Sequence, residues 1–305
     1  MSGFAGLLAA REAALTEGSI YERLRRDPRV RFDPQLCHGA LIYSQPEALA
    51  AAHGVYVEVA KQAGLPILIF TDTWRATAER IAASDFAGRA VNEDNAAFLK
   101  KLAAASGHLV FVGGLTGCRG DAYRPQEALD ADTAERFHRP QIEALAPGVD
   151  FLFAATLPAA SEALGIAKAM AATGVPFLIS FVIRGNGALL DGTLLSEAIE
   201  RIDATAPPAA YAINCVHPSA FLEGMRKLED RPDILRRLAC FQANASACDP
   251  DELNDCATLL SDEPAGLARG IAAARNHGLF ILGGCCGTDE RHIAALAGEL
   301  LRKQI

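Results

Sequence analysis

Three cysteines carry the clearest chemistry in this chain. Cys215 follows the apolar run AYAIN, and the adjacent pair Cys285 and Cys286 follows LFILGG. Thiolates are soft donors, and three of them plus one open position describe a tetrahedral zinc site that binds and activates a further molecule. Neighbouring side chains on an extended strand point to opposite faces, so both sulfurs of the pair reach one metal only where the backbone is irregular. Gly283, Gly284 and Gly287 permit such a backbone. Spacing alone leaves a second reading open, because a free cysteine is commonly a small buried apolar residue. That packing role is assigned to Cys37, Cys118, Cys240, Cys248 and Cys256; the even spacing of the last three matches neither CxxC nor helical ligand geometry. His217 and Cys118 are the residues that could close the fourth position and make the metal structural. Eight cysteines in 305 residues are too dilute for a disulfide scaffold, and a Cys285–Cys286 bond would close a strained ring, so reduced thiols in a cytoplasm are expected.

Elements that would carry these residues to one place are visible as a rhythm of short apolar runs and Ala-rich helical stretches. Seven runs read as strands buried on both faces: Pro66–Phe70, Leu109–Val112, Asp150–Phe153, Pro176–Val182, Ala210–Asn214, Leu238–Gln242 and Leu279–Leu282. Each ends in a polar or Gly-containing segment, among them TDT, ATLP and NCVHP. An eighth strand is expected around Glu12–Thr16. Crossover helices fit Gln45–Ala63, Asn92–Ala105, Ala131–Ala146, Ala159–Thr173, Leu194–Ala204, Asp251–Leu259 and Pro264–His277, with Gly278 as a C-cap. The pattern predicts an α/β fold, a (β/α)8 TIM barrel forming a single domain over 1–305, with an open doubly wound sheet as the alternative. In a barrel, chemistry sits at the C-terminal strand ends, where all three cysteines fall.

Composition narrows the partners. With 29 Lys and Arg against 37 Asp and Glu the net charge is −8, which offers no basic stripe for nucleic acid or an anionic membrane. No apolar run is long enough to span a bilayer, and the first residues lack a signal-peptide pattern, so a soluble cytoplasmic protein is expected; an oligomer is compatible with the sequence. GxGxxG, GxxxxGK[ST], HExxH and GxSxG do not occur. The Gly-rich GGLTGCRG at 113–120 reads as a strand-to-loop turn rather than an anion cradle.

GGCCGT at 283–288 after an apolar strand, together with INCVHP at 213–218, resembles the zinc-binding signature of the homocysteine S-methyltransferase family. Weaker matches are AHGVYVEVAKQAGLPILIFTDTWRAT at 52–77, DGTLLSEAI at 191–199 and the helix at 137–145; the resemblance runs from about Gly18 to Leu301. It implies a barrel with Cys215, Cys285 and Cys286 on Zn2+, and transfer of a methyl group from a small onium donor such as S-methylmethionine to a zinc-bound thiol, nominally homocysteine. Glu17, Gly18, Asp72, Thr73 and Asn214 become candidate substrate-binding residues, and no catalytic residue is expected beyond the zinc site. Trp74, Tyr43 and Phe181 are candidate faces for an onium donor.

Two departures from the family pattern concern the acceptor. The family's Asp-Gly motif after the first strand reads Glu17-Gly18-Ser19 here, and its Glu at the end of the fourth strand is replaced by Ala155. Either Glu17, Asp72 or Glu162 receives a substrate amine, or the acceptor is an amine-free thiol. A non-catalytic zinc or redox thiol module is the remaining alternative.

Overall fold

The computed structural model describes residues 3–247 and 262–302. Eight parallel strands close into a barrel in sequence order: β1 (Ala14–Thr16), β2 (Ile67–Phe70), β3 (Val110–Thr116), β4 (Phe151–Leu157), β5 (Phe177–Phe181), β6 (Ala210–Val216), β7 (Leu238–Ala243) and β8 (Ile281–Gly284). The expected barrel is therefore the observed fold, not the open sheet. Short β1 completes it by pairing with β2 on one side, Leu15 opposite Ile67, and with β8 on the other, Leu15 opposite Leu282.

Strand residues alternate between two apolar layers. In β2, Leu68 and Phe70 point into the barrel beside Phe111, Phe151 and Phe153, while Ile67 and Ile69 pack outward against the helices. Helices Pro46–Ala63, Val91–Ser106, Ala131–Leu145, Ala160–Ala171, Leu195–Asp203 and Pro264–Ala272 occupy the expected crossovers, and Gly278 ends the last of these segments with φ 87°. The expected helix at Asp251–Leu259, with Cys248 and Cys256, lies outside the described residues. Among the described residues no helix is long and apolar enough to cross a membrane.

The helices that went unread in the sequence include Phe4–Ala10, Ile20–Arg25, Pro218–Arg226 and Glu290–Arg302, besides the short turns of helix Leu41–Ser44, Ala78–Ala82 and Pro232–Leu235. The first plugs the N-terminal end of the barrel, with Phe4 stacked on Phe151 at 4.1 Å between ring centroids. Ile20–Arg25 begins on the Ser19 N-cap, whose hydroxyl accepts from Glu22 N–H, and its first turns stand over the opposite, C-terminal mouth.

Candidate functional site

The C-terminal mouth holds a cavity of about 410 Å³. At its wall the sulfurs of Cys215, Cys285 and Cys286 lie within 4.8 Å of one another. Cys286 Sγ is 3.7 Å from Cys215 Sγ and 4.0 Å from Cys285 Sγ.

The backbone explains how adjacent cysteines face one point. Thr288 N–H donates to Cys285 O at 3.2 Å, closing a tight turn in which Gly287 takes φ 80°, a value that suits glycine. Upstream, a Cβ on Gly283 would run into Thr16, so this strand end tolerates no side chain where it passes β1. Cys215 reaches the same point by a different device: its φ is 55°, left-handed and costly for a residue with a Cβ, and it sits where the β6–β7 register shifts.

Asn214 braces that conformation. Its Oδ1 accepts from Thr156 N–H at 2.8 Å and from Ser180 Oγ at 2.6 Å, and its Nδ2 donates to Thr156 Oγ1 at 2.6 Å and toward Cys285 Sγ at 3.9 Å. Thr156 is itself left-handed, φ 57°, at the register shift of β4 against β5. One buried amide thus ties two strained strand ends to the cysteine cluster.

The Cys215 and Cys285 sulfurs are in contact, their Cα atoms 5.5 Å apart. The described cysteines 37, 118, 240 and 286 are free, and Cys285 and Cys286 are not bonded to each other. Burial pushes the Cys286 thiol up to about 11. A tetrahedral Zn–S geometry of about 2.3 Å would separate sulfurs by about 3.8 Å, and both Cys286 distances agree with it. The three sulfurs therefore fit zinc in donor type, and Cys286 fits it in its spacing from the other two. Among the described residues no fourth His, Cys, Asp or Glu joins the three sulfurs.

His217 is not that fourth ligand. Its Nε2 pairs with Asp262 at 3.1 Å and its Nδ1 with Ser219 Oγ at 2.7 Å, at the start of the helix that follows β6. Cys118 is also elsewhere, buried and directed to Gly120 O at 3.5 Å.

Glu17, Gly18, Asp72 and Asn214 line the cavity. Thr73 stands behind the wall, its hydroxyl bonded to Thr71 Oγ1 at 2.7 Å and donating to Leu115 O at 2.6 Å, and Thr71 takes the wall position. Glu162 is not free to receive an amine: fully buried, it accepts from Arg119 N–H at 2.7 Å and pairs with His138 at 2.9 Å. Ala155 is on the wall. Of the aromatic candidates, Trp74 lines the cavity, whereas Phe181 packs against Tyr211 in the core and the Tyr43 hydroxyl donates to Asp94 at 2.5 Å away from the mouth.

Two histidines escaped sequence reasoning. His53 is fully buried between acids, Nδ1 to Glu17 Oε2 at 2.8 Å and Nε2 to Asp72 Oδ2 at 3.1 Å. His38 Nε2 holds the other Asp72 oxygen at 3.2 Å, and Phe70 N–H donates to Glu17 Oε1 at 3.0 Å. Burial opposes charge on His53, but the Glu17 and Asp72 carboxylates outweigh it and raise its pKa to about 10. Burial also works against the Asp72 carboxylate, yet His53 and His38 draw it down to about 2. At Glu17 burial wins and the pKa rises. The available signal was a histidine on the apolar face Leu49, Ala52, Tyr56, Val57 and Ala60 of its helix. Tyr21, on the helix Ile20–Arg25, and Tyr123, on the loop after β3, also line the cavity and carried no sequence signal.

Comparison with known proteins agrees with this geometry. The family model described as homocysteine S-methyltransferase matches residues 14–300. Betaine–homocysteine S-methyltransferase 1 of Rattus norvegicus is 24% identical over 311 residues, covering 96% of this chain and 73% of that protein. Homocysteine S-methyltransferase of Escherichia coli (strain K12) is 29% identical over 183 residues, 58% of this chain and 56% of that protein. The oxidized form of the homocysteine methyltransferase MmuM from Escherichia coli superposes with TM-score 0.77 at 25% identity, covering 96% of this chain and 97% of that one. The chain belongs to the homocysteine S-methyltransferase family of enzymes.

Proposed function

We propose that this enzyme is a zinc-dependent S-methyltransferase that moves a methyl group from a small onium donor, S-methylmethionine or similar, to a thiol, nominally homocysteine giving methionine. The observation that carries this reading is the convergence of Cys215, Cys285 and Cys286 within 4.8 Å on the wall of a 410 Å³ cavity. Zinc, when bound by these three thiolates, holds an acceptor sulfur deprotonated at neutral pH without a general base. The chain's own residues then have to align acceptor and donor, and much of the rate comes from that alignment. Trp74 offers an aromatic face to a cationic donor, and Glu17, Asp72 and Asn214 line the space beside the sulfurs. Thr73 contributes through Thr71. We read residues 1–305 as one domain in which both substrates arrive as small molecules.

A second reading differs only in the acceptor: an amine-free thiol. It is favoured by Ala155 on the wall and by the engagement of Glu17 and Asp72 with histidines. The test is methyl transfer by the zinc-loaded chain alone, with S-methylmethionine as donor and a panel of thiols as acceptors. Product without any added protein supports the proposal. Strict dependence on a corrinoid protein overturns the donor, and a cobalt-substituted site whose spectrum ignores added thiol overturns catalysis in favour of a structural metal.

A further inference from the structure

One charged side chain on the cavity wall is left without a counter-charge. Arg25 and Arg26 lie 3.6 and 2.9 Å from Glu22. Glu17 and Asp72 share His53, and Asp72 also holds His38. Asp121 accepts from Tyr123 N–H at 2.9 Å. Arg75 has no carboxylate partner among the described residues; its one hydrogen bond there runs from Nη1 to Gly120 O at 3.0 Å. Its guanidinium lies 4.3 Å from the Trp74 ring centroid, which fixes the plane of the fork and leaves further N–H donors for a ligand.

Three other cavity residues make a continuous corner with it. Tyr21 is 6.0 Å from the Trp74 ring and 5.6 Å from the His38 ring, edge-on to both. His38 is buried, and its Nδ1 has no partner although Nε2 is committed to Asp72. A guanidinium with free N–H donors, set against the Trp74 ring and lining the same cavity as the three sulfurs, describes a site for a small anionic group.

We propose that the Arg75 corner, with Trp74 and Tyr21, binds the carboxylate of a ligand whose other end reaches the cysteine cluster. This rests on the proposed methyl transfer for the identity of the ligand, a thiol acceptor or an onium donor, and on the cavity alone for its charge. The carboxylate sits in the plane of the guanidinium and replaces water there, and the ligand's aliphatic stem crosses the cavity beside Ala155.

Calorimetry on the zinc-loaded, reduced full chain tests it without needing turnover, with 4-mercaptobutyrate and the neutral 4-mercaptobutanamide as probes. The carboxylate thiol is expected to bind about tenfold or more tightly in the wild type, and Arg75→Gln to weaken it about ten- to hundredfold while leaving the carboxamide unchanged. Arg75→Lys is expected to recover part of the loss, since it restores charge but not the fork. If the carboxylate dependence appears instead between S-methylmethionine and trimethylsulfonium as donors, the corner serves the donor. Equal binding of the carboxylate-bearing and carboxylate-free members of both pairs by the wild type overturns the proposal, and that comparison requires no variant to fold. Carboxylate preference without methyl transfer would sink the proposed reaction and leave this site standing.

Discussion

Replacing His53 by Gln isolates the charge that ties Glu17 to Asp72. His53 is fully buried, its two ring nitrogens bonded to the two acids at 2.8 and 3.1 Å, and Gln supplies polar atoms but no positive charge. Removing one partner from a buried ionic cluster costs about 3–5 kcal/mol, because the remaining charges lose their compensation. With an unfolding entropy of roughly 2.1 cal/mol/K per residue over 305 residues, that loss lowers Tm by about 5–8 °C at pH 7. The pH dependence has a definite sign. His53 rises from 6.5 unfolded to about 10 folded, so its contribution is fully present below pH 6.5 and is lost as pH climbs through 10. Asp72 moves oppositely, from 3.8 to about 2, and its share is lost only as pH falls through 2. Calorimetric melts of both proteins between pH 6 and 10.5 should therefore show a gap that narrows on the alkaline side. A gap that stays constant across that range would mean that shape and hydrogen bonding, not charge, account for the loss, and an unchanged Tm at pH 7 would refute the reasoning outright.

Homocysteine is expected to be a poor acceptor for the wild type, and Ala155→Glu to raise its kcat/KM relative to 4-mercaptobutyrate by about tenfold or more, since the new carboxylate would meet the amine; a wild type that strongly prefers homocysteine, with Ala155→Glu erasing that preference, contradicts this. Asn214→Ala leaves the Thr156 N–H and the Ser180 hydroxyl without their shared acceptor, which should cost about 1–3 kcal/mol, or roughly 2–5 °C in Tm. The same change should weaken zinc binding at least about tenfold by loosening Cys215 and Cys285; unchanged zinc affinity in a chelator competition would assign Asn214 a purely structural role.

Periodicity made the barrel readable because each strand is a continuous apolar run between helices of matching pattern, and even the three-residue β1 was anticipated within Glu12–Thr16. The helices missed are short or stand at the ends: Phe4–Ala10 plugs the barrel and Ile20–Arg25 covers its mouth, places set by tertiary packing. The cysteine cluster was legible because glycines flank the pair and Cys215 ends a strand. What spacing could not convey was the backbone that delivers Cys215, whose left-handed φ depends on Asn214, Thr156 and Ser180 from three strands. Thr73 shows the same limit in reverse: a shift of two residues along a strand end exchanges it for Thr71 on the wall. The histidines at 38 and 53 were hidden because their partners come from distant loops.

Metal content of the reduced protein and of three single variants tests the central claim most directly. The wild type, purified with a thiol reductant that keeps Cys215, Cys285 and Cys286 reduced, should carry about one zinc per chain by elemental analysis. Cys215→Ala, Cys285→Ala and Cys286→Ala should each lose it, because two thiolates are too few protein ligands to hold the ion. Full zinc occupancy in all three variants would contradict the account.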